Sequence, residues 1–241
     1  MKKVTIMGVP FAHIDQPAFS LLLEERIRHK QKTFVVTANP EVVMLANEEA
    51  SFMNSIKEAT YITADGIGIV KAAQQLNNPL PGRVTGYDTM MQLLNIANTH
   101  HFRIFLLGAK KETLEKTIDN ISVRFPNVHI VGSHDGYFNW DDLKIAKEIA
   151  ALQPDIIFVA LGVPKQEKWI AENLDKFGHG VFMGVGGSFD VIAGTVKRAP
   201  AFWRKLNLEW FYRLLKQPSR WKRMLALPRF AMQIIKQKIK G

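Results

Sequence analysis

The sequence of 241 residues contains no cysteine, and no stretch approaches the roughly 18 uncharged apolar residues that a membrane-spanning helix needs. The absence of cysteine excludes disulfides, thiolate nucleophiles and cysteine-ligated metals. The N-terminal segment from Met1 to Ile6 runs directly into a strand-like pattern, without the apolar core of a signal peptide. We therefore expect a cytoplasmic protein.

Several motifs of known chemistry are also missing. The chain has no Asp-x-Asp pair, no His-Glu-x-x-His spacing and no Walker phosphate loop. Its glycine-rich turn at 184–190 is neither a complete dinucleotide-binding fingerprint nor the Gly-x-Ser-x-Gly turn of a serine hydrolase. We therefore expect no metal and no cofactor. A nicotinamide-dependent oxidoreductase is a weak alternative, suggested only by glycine turns and by alternating strands and helices.

Acidic residues are nearly absent from the C-terminal segment 196–241, which we call the tail. It holds 13 Lys and Arg residues and one acid, Glu209, so it carries +12, whereas residues 1–195 carry −2. Aromatic residues are interleaved with these cations: Phe202, Trp203, Trp210, Phe211, Tyr212, Trp221 and Phe230. This composition suits an anionic membrane surface. A nucleic-acid-binding protein is the alternative, because the same residues can contact phosphates and stack on bases.

Before the tail, short β-rich runs alternate with helical patterns. The strand-like runs are Val4–Val9, Thr33–Thr37, Thr60–Ala64, Arg103–Leu107, Val128–Gly132, Asp155–Leu161 and Gly180–Val185. The helical patterns are Gln16–His29, Pro40–Lys57, Gly66–Leu76, Tyr87–His100, Lys111–Arg124, Asp141–Ala151 and Lys165–Leu174. This alternation predicts an α/β fold with a mostly parallel, Rossmann-like sheet and helices on both faces. We expect this domain at 1–195 and a helical, membrane-binding appendage at 196–241.

The tail has helical periodicity of its own. Its apolar residues recur at spacings of three and four, which predicts one amphipathic helix: Trp203, Leu206, Trp210, Phe211 and Leu214. We expect Pro218 to end that helix, Ser219 to cap a second short helix through Leu227, and Pro228 to precede a third helix.

Polar residues follow two of the predicted strands, at the edge of a parallel sheet where ligands bind. Thr37 and Asn39 follow the second strand and can hydrogen-bond ligand hydroxyls, although Asn39 would equally serve as a helix N-cap. Asp65 follows the third strand beside Gly66 and is the candidate general base. The alternative for Asp65 is again an N-cap.

Three further clusters belong to the same predicted edge. The cluster from Arg83 to Asp88 opens a helix, and we expect it to face the crevice that holds Asp65. Lys165 and Gln166 begin a helix after the strand Asp155–Leu161, where backbone N–H groups favour phosphate. The turn at 184–190 follows the last strand, and its glycines would equally allow close helix and strand packing.

Six motifs, read in order, carry a resemblance that spans nearly the whole chain. They are Thr37-Ala38-Asn39-Pro40-Glu41, Ala64-Asp65-Gly66, Arg83-Val84-Thr85-Gly86-Tyr87-Asp88, Phe105-Leu106-Leu107-Gly108, Leu161-Gly162-Val163-Pro164-Lys165-Gln166-Glu167 and Val185-Gly186-Gly187-Ser188-Phe189-Asp190, followed by Lys197-Arg198-Ala199-Pro200. Together they resemble the WecG/TagA/CpsF glycosyltransferase family. The chain is most similar to the TagA/TarA type, which transfers N-acetylmannosamine from UDP-N-acetylmannosamine to undecaprenyl-diphosphate-linked N-acetylglucosamine in the linkage unit of wall teichoic acid.

The resemblance implies a hexosyltransferase with Asp65 as the base. We expect the transfer to be an inverting displacement, and the missing Asp-x-Asp pair predicts that it is metal-independent. The resemblance implies that Thr37, Asn39, Arg83 and Gln166 line the substrate pocket. It also implies that tail arginines complete the site, and by position these are Arg213, Arg220 and Arg223.

The implied partners are a UDP-sugar donor, a polyprenyl-diphosphate-linked sugar acceptor and an anionic membrane surface. We expect a peripheral location on the inner face of the cell membrane. The aromatic residues of the tail make a homo-oligomer an additional expectation, whereas nucleic acid is not an expected partner. Transfer of another UDP-sugar to a lipid-linked acceptor is the alternative reaction.

Overall fold

A six-stranded sheet forms the centre of the computed structural model, which describes residues 1–139, 144–218 and 221–240. Its strand order is β4-β3-β8-β7-β5-β6, and each neighbouring pair is parallel. The strands are β3 (Thr33–Ala38), β4 (Tyr61–Ala64), β5 (Arg103–Gly108), β6 (His129–His134), β7 (Ile156–Ala160) and β8 (Val181–Gly184). The prediction of a parallel α/β sheet is confirmed.

The first predicted strand, Val4–Val9, is wrong in extent and in place. Two short strands, β1 (Lys3–Ile6) and β2 (Val9–Ala12), pair with each other in a separate antiparallel hairpin. Met7 and Gly8 both have positive φ angles, 48° and 77°. Two such residues form the tight turn whose twist suits a hairpin, so the chain reverses where the apolar pattern suggested continuity.

Helices before the tail cover both faces of the sheet. They are α1 (Gln16–Arg28), α2 (Pro40–Glu48), α3 (Ala50–Lys57), α4 (Ile67–Gln75), α5 (Gly86–His100), α6 (Lys111–Arg124), α7 (Lys144–Ala151), α8 (Lys165–Asn173) and α9 (Ser188–Ile192). The predicted helix Pro40–Lys57 is divided, because Glu49 adopts extended backbone angles (φ −119°, ψ 105°). The predicted start of another helix, at 141–143, lies outside the described residues.

Alternate residues of one strand supply the two halves of the core. Ile104 and Leu106 of β5 join a buried cluster with α1, α5 and α6, whereas Phe105 and Leu107 join a cluster with α2, α3, α4 and α8. This is the period-two alternation of a strand that is buried on both faces. The sheet is therefore held rigidly, and its strand ends are fixed in position.

The tail forms four helices within its described residues, rather than the predicted three. They are α10 (Ala201–Lys205), α11 (Glu209–Lys216), α12 (Trp221–Met224) and α13 (Ala226–Lys240). The single predicted amphipathic helix is interrupted between α10 and α11, where Asn207 has a φ of 59°. Pro228 lies inside the first turn of α13 rather than before it, because a residue there needs no N–H partner. The predicted cap, Ser219, lies outside the described residues.

One tail helix packs against the α/β domain. Phe230 and Ile234 of α13 are buried in the cluster that contains α2 and α4. Gln237 accepts a hydrogen bond of 3.0 Å from the backbone N–H of Met7, and Arg229 forms an ion pair of 3.8 Å with Glu48. The prediction of an interfacial role is therefore wrong for Phe230, whose ring lies in the core.

Other apolar residues of the tail are exposed. They include Phe202, Leu206, Trp210, Phe211, Leu215, Trp221, Leu225, Met232, Ile235 and Ile239. Among the described ranges, no helix has both the length and the hydropathy to span a bilayer.

Candidate active site

The site is built around two turns that follow neighbouring strands. Ala38 of β3 pairs with Ala64 of β4, so the next residue of each strand, Asn39 and Asp65, emerges at the same edge of the sheet. The backbone N–H of Asp65 donates a hydrogen bond of 3.0 Å to the carbonyl oxygen of Ala38. The carboxylate and the carboxamide are thus placed side by side by strand pairing.

Asn39 does act as a helix cap. Its Oδ1 accepts a hydrogen bond of 3.0 Å from the N–H of Val42 at the start of α2. This uses the acceptor end of the carboxamide and keeps the half-buried Asn39 side chain fixed at the sheet edge. Asp65 is different, because the N-cap position of α4 is Gly66.

The turn from Arg83 to Asp88 lies against Asp65, as expected. The N–H of Gly86, the first residue of α5, donates a hydrogen bond of 2.9 Å to Oδ1 of Asp65. Gly86 also lies directly against Thr37, since a Cβ added to it would be 2.9 Å from the Thr37 hydroxyl oxygen. A glycine is required at this position because no side chain fits between the turn and β3.

Arg83 reaches this region through the backbone. The next residue, Val84, donates a hydrogen bond of 2.9 Å from its N–H to the carbonyl oxygen of Ala64. The side chain of Arg83 is half-buried, and it forms no hydrogen bond or ion pair with another described residue. Its guanidinium group is therefore a cation without a partner among the described residues.

Gln166 lies at the start of α8, beyond β7. Its Oε1 accepts a hydrogen bond of 3.0 Å from the N–H of Gly186, in the turn after β8. Its Nε2 donates one of 2.7 Å to Oε1 of Glu167. A Cβ at Gly184 would lie 2.6 Å from Gln166 Nε2, so the glycine gives the carboxamide its space. The close-packing role considered for these glycines is therefore real at Gly184.

Glu167 is the most buried carboxylate of this region, with only 2% of its surface exposed. Burial raises the pKa of Glu167 from its ordinary 4.5 to about 7, although the hydrogen bond from Gln166 acts in the opposite direction. Its Oε2 is buried and has no hydrogen-bond partner among the described residues. The buried Glu167 carboxyl thus holds the Gln166 carboxamide in place by accepting its hydrogen bond.

The strand order brings these groups into one row. Asp65, Asn39, Gly186 and Gln166 follow β4, β3, β8 and β7, which are consecutive neighbours in the sheet. Helices α2, α4 and α8 begin at this edge, and α5 begins with Gly86. Helix N-termini carry partial positive charge and favour anions, so the edge suits a ligand with phosphate groups and hydroxyls.

The tail arginines are placed only in part. Arg213 lies on α11 and Arg223 on α12, but their side chains, like the whole of Arg220, are outside the described residues. The arginine roles therefore stay predictions.

In the part of the chain that the structure describes, no group of three His, Asp or Glu residues is arranged to hold a metal ion.

Sequence reasoning did not single out three contributors. Gly86 acts through its backbone N–H, Glu167 through burial, and Arg198 through an ion pair of 2.7 Å with Asp88. All three lie inside the motifs that carry the family resemblance, so membership of a motif is the signal that could have identified them. No local pattern distinguishes a buried glutamate from an exposed one at the start of a helix.

Comparison with known proteins identifies relatives over nearly the whole chain. The glycosyl transferase WecG/TagA/CpsF family profile matches residues 4–241. An N-acetylglucosaminyldiphosphoundecaprenol N-acetyl-beta-D-mannosaminyltransferase of Bacillus subtilis (strain 168) is 42% identical over 238 residues, covering 98% of this chain and 93% of the relative. Proteins of the same name from Staphylococcus aureus strains MW2 and NCTC 8325 are 41% identical over 244 residues, covering 99% of this chain and 94% of each relative. The chain belongs to the WecG/TagA/CpsF family and is a glycosyltransferase.

Proposed function

We propose that this protein transfers N-acetylmannosamine from UDP-N-acetylmannosamine to undecaprenyl-diphosphate-linked N-acetylglucosamine, as in the linkage unit of wall teichoic acid. The observation that carries the proposal is the row of Asp65, Asn39, Gly186 and Gln166 along neighbouring strand ends, with Thr37 of β3 against Gly86, in a chain similar over nearly its whole length to enzymes named for this transfer. The edge offers one carboxylate for proton transfer and several neutral hydrogen-bonding groups for sugar hydroxyls.

Asp65 is the proposed general base. As the 4-hydroxyl oxygen of the acceptor sugar attacks the anomeric carbon of the donor, the carboxylate takes the hydroxyl proton and the bond to UDP breaks. The hydrogen bond from Gly86 to Oδ1 favours the ionised carboxylate that accepts this proton. Attack opposite the leaving group inverts the anomeric carbon, so a donor that is alpha-linked to UDP gives the beta linkage found in the relatives' name.

The departing UDP gains negative charge, which must be stabilised. The N-termini of α2, α4, α5 and α8 supply partial positive charge at the same edge. Arg83 supplies a full charge beside Asp65, and we propose that Arg213, Arg220 and Arg223 add further guanidinium groups from the tail. Arginine is suited to this role because its planar group binds phosphate with two hydrogen bonds.

We further propose that the domain at 1–195 is catalytic and that the tail binds the inner face of the cell membrane as a peripheral appendage. Its excess of cations and its exposed aromatic side chains, such as Phe202 and Trp210, match the requirements of an anionic bilayer surface. Membrane contact would place the arginines over the crevice where the lipid-linked acceptor resides. Self-association through the same apolar residues is a second proposed property of the tail.

The reaction is tested by product analysis. The full-length protein is incubated with a lipid-diphosphate-linked N-acetylglucosamine and one UDP-sugar at a time: UDP-N-acetylmannosamine, UDP-N-acetylglucosamine or UDP-glucose. Mass spectrometry should detect an added N-acetylhexosamine with UDP-N-acetylmannosamine and not with the other two donors, and equally with or without EDTA. Transfer from a different donor, or loss of turnover in EDTA, would contradict the proposed donor or the proposed metal independence.

The tail arginines are best tested by point substitutions, because truncation after Thr195 would also uncover the core surface that Phe230 and Ile234 fill. Replacing Arg213, Arg220 and Arg223 singly with Ala should lower turnover on a short-chain acceptor without liposomes. Arg124→Ala is the matched control, since Arg124 is an exposed arginine at the end of α6, next to the opposite edge of the sheet. If all four variants are as active as the wild-type protein, a catalytic role for these tail cations is excluded.

A further inference from the structure

One partly exposed ion pair, with 20% of the Arg198 side chain and 39% of the Asp88 side chain exposed, joins the first residues of the tail to the turn that contacts Asp65. Nη2 of Arg198 lies 2.7 Å from Oδ1 of Asp88, and the Arg198 guanidinium carbon lies 4.3 Å from the centre of the Tyr87 ring. An arginine that is paired with a carboxylate and also stacked on an aromatic face is strongly restrained.

The partner carboxylate continues the connection towards the base. The second oxygen of Asp88, Oδ2, accepts a hydrogen bond of 2.7 Å from the Thr85 hydroxyl. The hydroxyl oxygen in turn accepts one of 3.2 Å from the N–H of Asp88, which caps the start of α5. Between these two residues lies Gly86, whose N–H donates to Asp65. One turn of chain therefore carries both the Arg198 partner and the Asp65 partner.

The same turn is held from the opposite side by Gln16 of α1. Oε1 of Gln16 accepts a hydrogen bond of 3.2 Å from the N–H of Thr85, and its Nε2 donates one of 3.1 Å to Thr89. The turn is thus clamped between α1 in the α/β domain and Arg198 in the tail. Of these two restraints, only the one from Arg198 depends on where the tail lies.

We propose that Arg198 is a positioning residue: through Asp88 and the first turn of α5 it fixes the Gly86 N–H, and thereby the orientation of the Asp65 carboxylate. The inference rests on the proposed role of Asp65 as the base. It assigns to the start of the tail a function separate from membrane binding, namely setting the geometry of the group that removes the acceptor proton. Loss of the restraint displaces the Gly86 N–H, one of the groups that orient the carboxylate, and small displacements of this kind cost about 10-fold to 100-fold in rate.

The test uses the full-length protein with UDP-N-acetylmannosamine and a short-chain, lipid-diphosphate-linked N-acetylglucosamine. Arg198→Ala should lower kcat by about 10-fold to 100-fold, while the KM for the donor changes less than about twofold. Arg198→Lys should fall between Arg198→Ala and wild type, because an ammonium group still pairs with Asp88 but stacks poorly on Tyr87. The matched control is Arg124→Ala, which removes another arginine over an aromatic ring, 5.3 Å from the centre of Phe125, and should leave kcat unchanged.

A double-mutant cycle separates positioning from general stabilisation. In an Asp65→Asn background the base is absent, so adding Arg198→Ala should cause no further loss of the residual turnover. If Arg198→Ala lowers kcat by the same factor in the Asp65→Asn background as in the wild type, the positioning role is overturned. A wild-type kcat in Arg198→Ala would also overturn it. A thermal unfolding curve of each variant checks that the compared proteins are folded at the assay temperature. If Arg198→Ala is unfolded at that temperature, Arg198→Lys replaces it in the double-mutant cycle.

The two proposals fail in different ways. If Asp65→Asn keeps normal turnover, the proposed base is wrong. If Asp65→Asn is inactive while Arg198→Ala is as active as wild type, only the positioning role is wrong.

Discussion

The buried carboxyl of Glu167 makes a quantitative prediction about stability and pH. Glu167→Gln replaces it with a neutral side chain of nearly equal shape, which can still accept the hydrogen bond that Gln166 donates. The change therefore removes one titration and little else. Because burial raises the pKa of Glu167 from 4.5 to about 7, the wild-type folded state retains a proton that the unfolded state has already lost.

The sign and size follow from proton linkage. Between pH 4.5 and about 7 the folded protein binds more protons at this site than the unfolded protein, so the free energy of unfolding falls as the pH rises. The stabilising contribution is fully present below pH 4.5 and lost above about pH 7. Its total size is about 3 kcal/mol. In Glu167→Gln this loss disappears, so the variant should gain about 3 kcal/mol relative to wild type across that window.

Urea denaturation followed by tryptophan fluorescence, at intervals from pH 5 to pH 8, measures this difference. Glu172→Gln is the matched control, since Glu172 is an exposed glutamate on the same helix, α8, and its curve should run parallel to that of the wild type. If the Glu167→Gln curve is also parallel to wild type, Glu167 is ionised in the folded protein at neutral pH and the reasoning is refuted.

Two further predictions follow from close contacts and burial. Gly86→Ala should reduce turnover at least 10-fold, because the added Cβ would lie 2.9 Å from the Thr37 hydroxyl oxygen. Gly82→Ala is the control and should have near wild-type turnover, because a Cβ there would have no atom within 4 Å. Equal steady-state rates of the two variants would contradict the crowding argument. Phe230→Ala should lower the free energy of unfolding by about 3 kcal/mol, because only 4% of Phe230 is exposed. Phe202 is 66% exposed, so Phe202→Ala should change the free energy of unfolding little but weaken binding to anionic liposomes in sedimentation assays. The opposite assignment of the two effects would overturn the proposed division of the tail aromatics.

Much of the fold was predictable because parallel strands that are buried on both faces produce a simple pattern. The runs at 104–107 and 156–161 are continuously apolar and alternate with helical segments, and both became central strands. The hairpin at the N-terminus was missed because six consecutive strand-like residues concealed a turn. Its φ angles at Met7 and Gly8 depend on the backbone and leave little trace in hydropathy.

The tail was predictable in composition but not in arrangement. Periodic apolar residues indicated helices, yet the same periodicity runs through the break at Asn207. Phe230 and Trp221 are both aromatic residues that follow an arginine in the sequence, but Phe230 is buried in the core and Trp221 is exposed. Which face of a tail helix meets the α/β domain is decided by the surface of α2 and α4, and single-sequence patterns do not encode that pairing.

The candidate site shows the same division. The residues that follow each strand were identifiable, because strand ends of a parallel sheet share one edge. Contacts between sequence-distant groups were not: Gly86 with Asp65, Gly186 with Gln166, and Arg198 with Asp88. The contact of Gly186 with Gln166 depends on strand order, which places β8 between β3 and β7 although it is last in the chain.

The most direct test of the central claim measures turnover and donor binding in the same variant. Asp65→Asn retains the shape of the side chain but cannot accept the acceptor proton, so kcat should fall by about 10² to 10⁴-fold. The dissociation constant for UDP, measured by calorimetry, should stay within about twofold, because the proposed contact of Asp65 is with the acceptor hydroxyl and not with the nucleotide. A near-normal kcat in this variant would contradict the account.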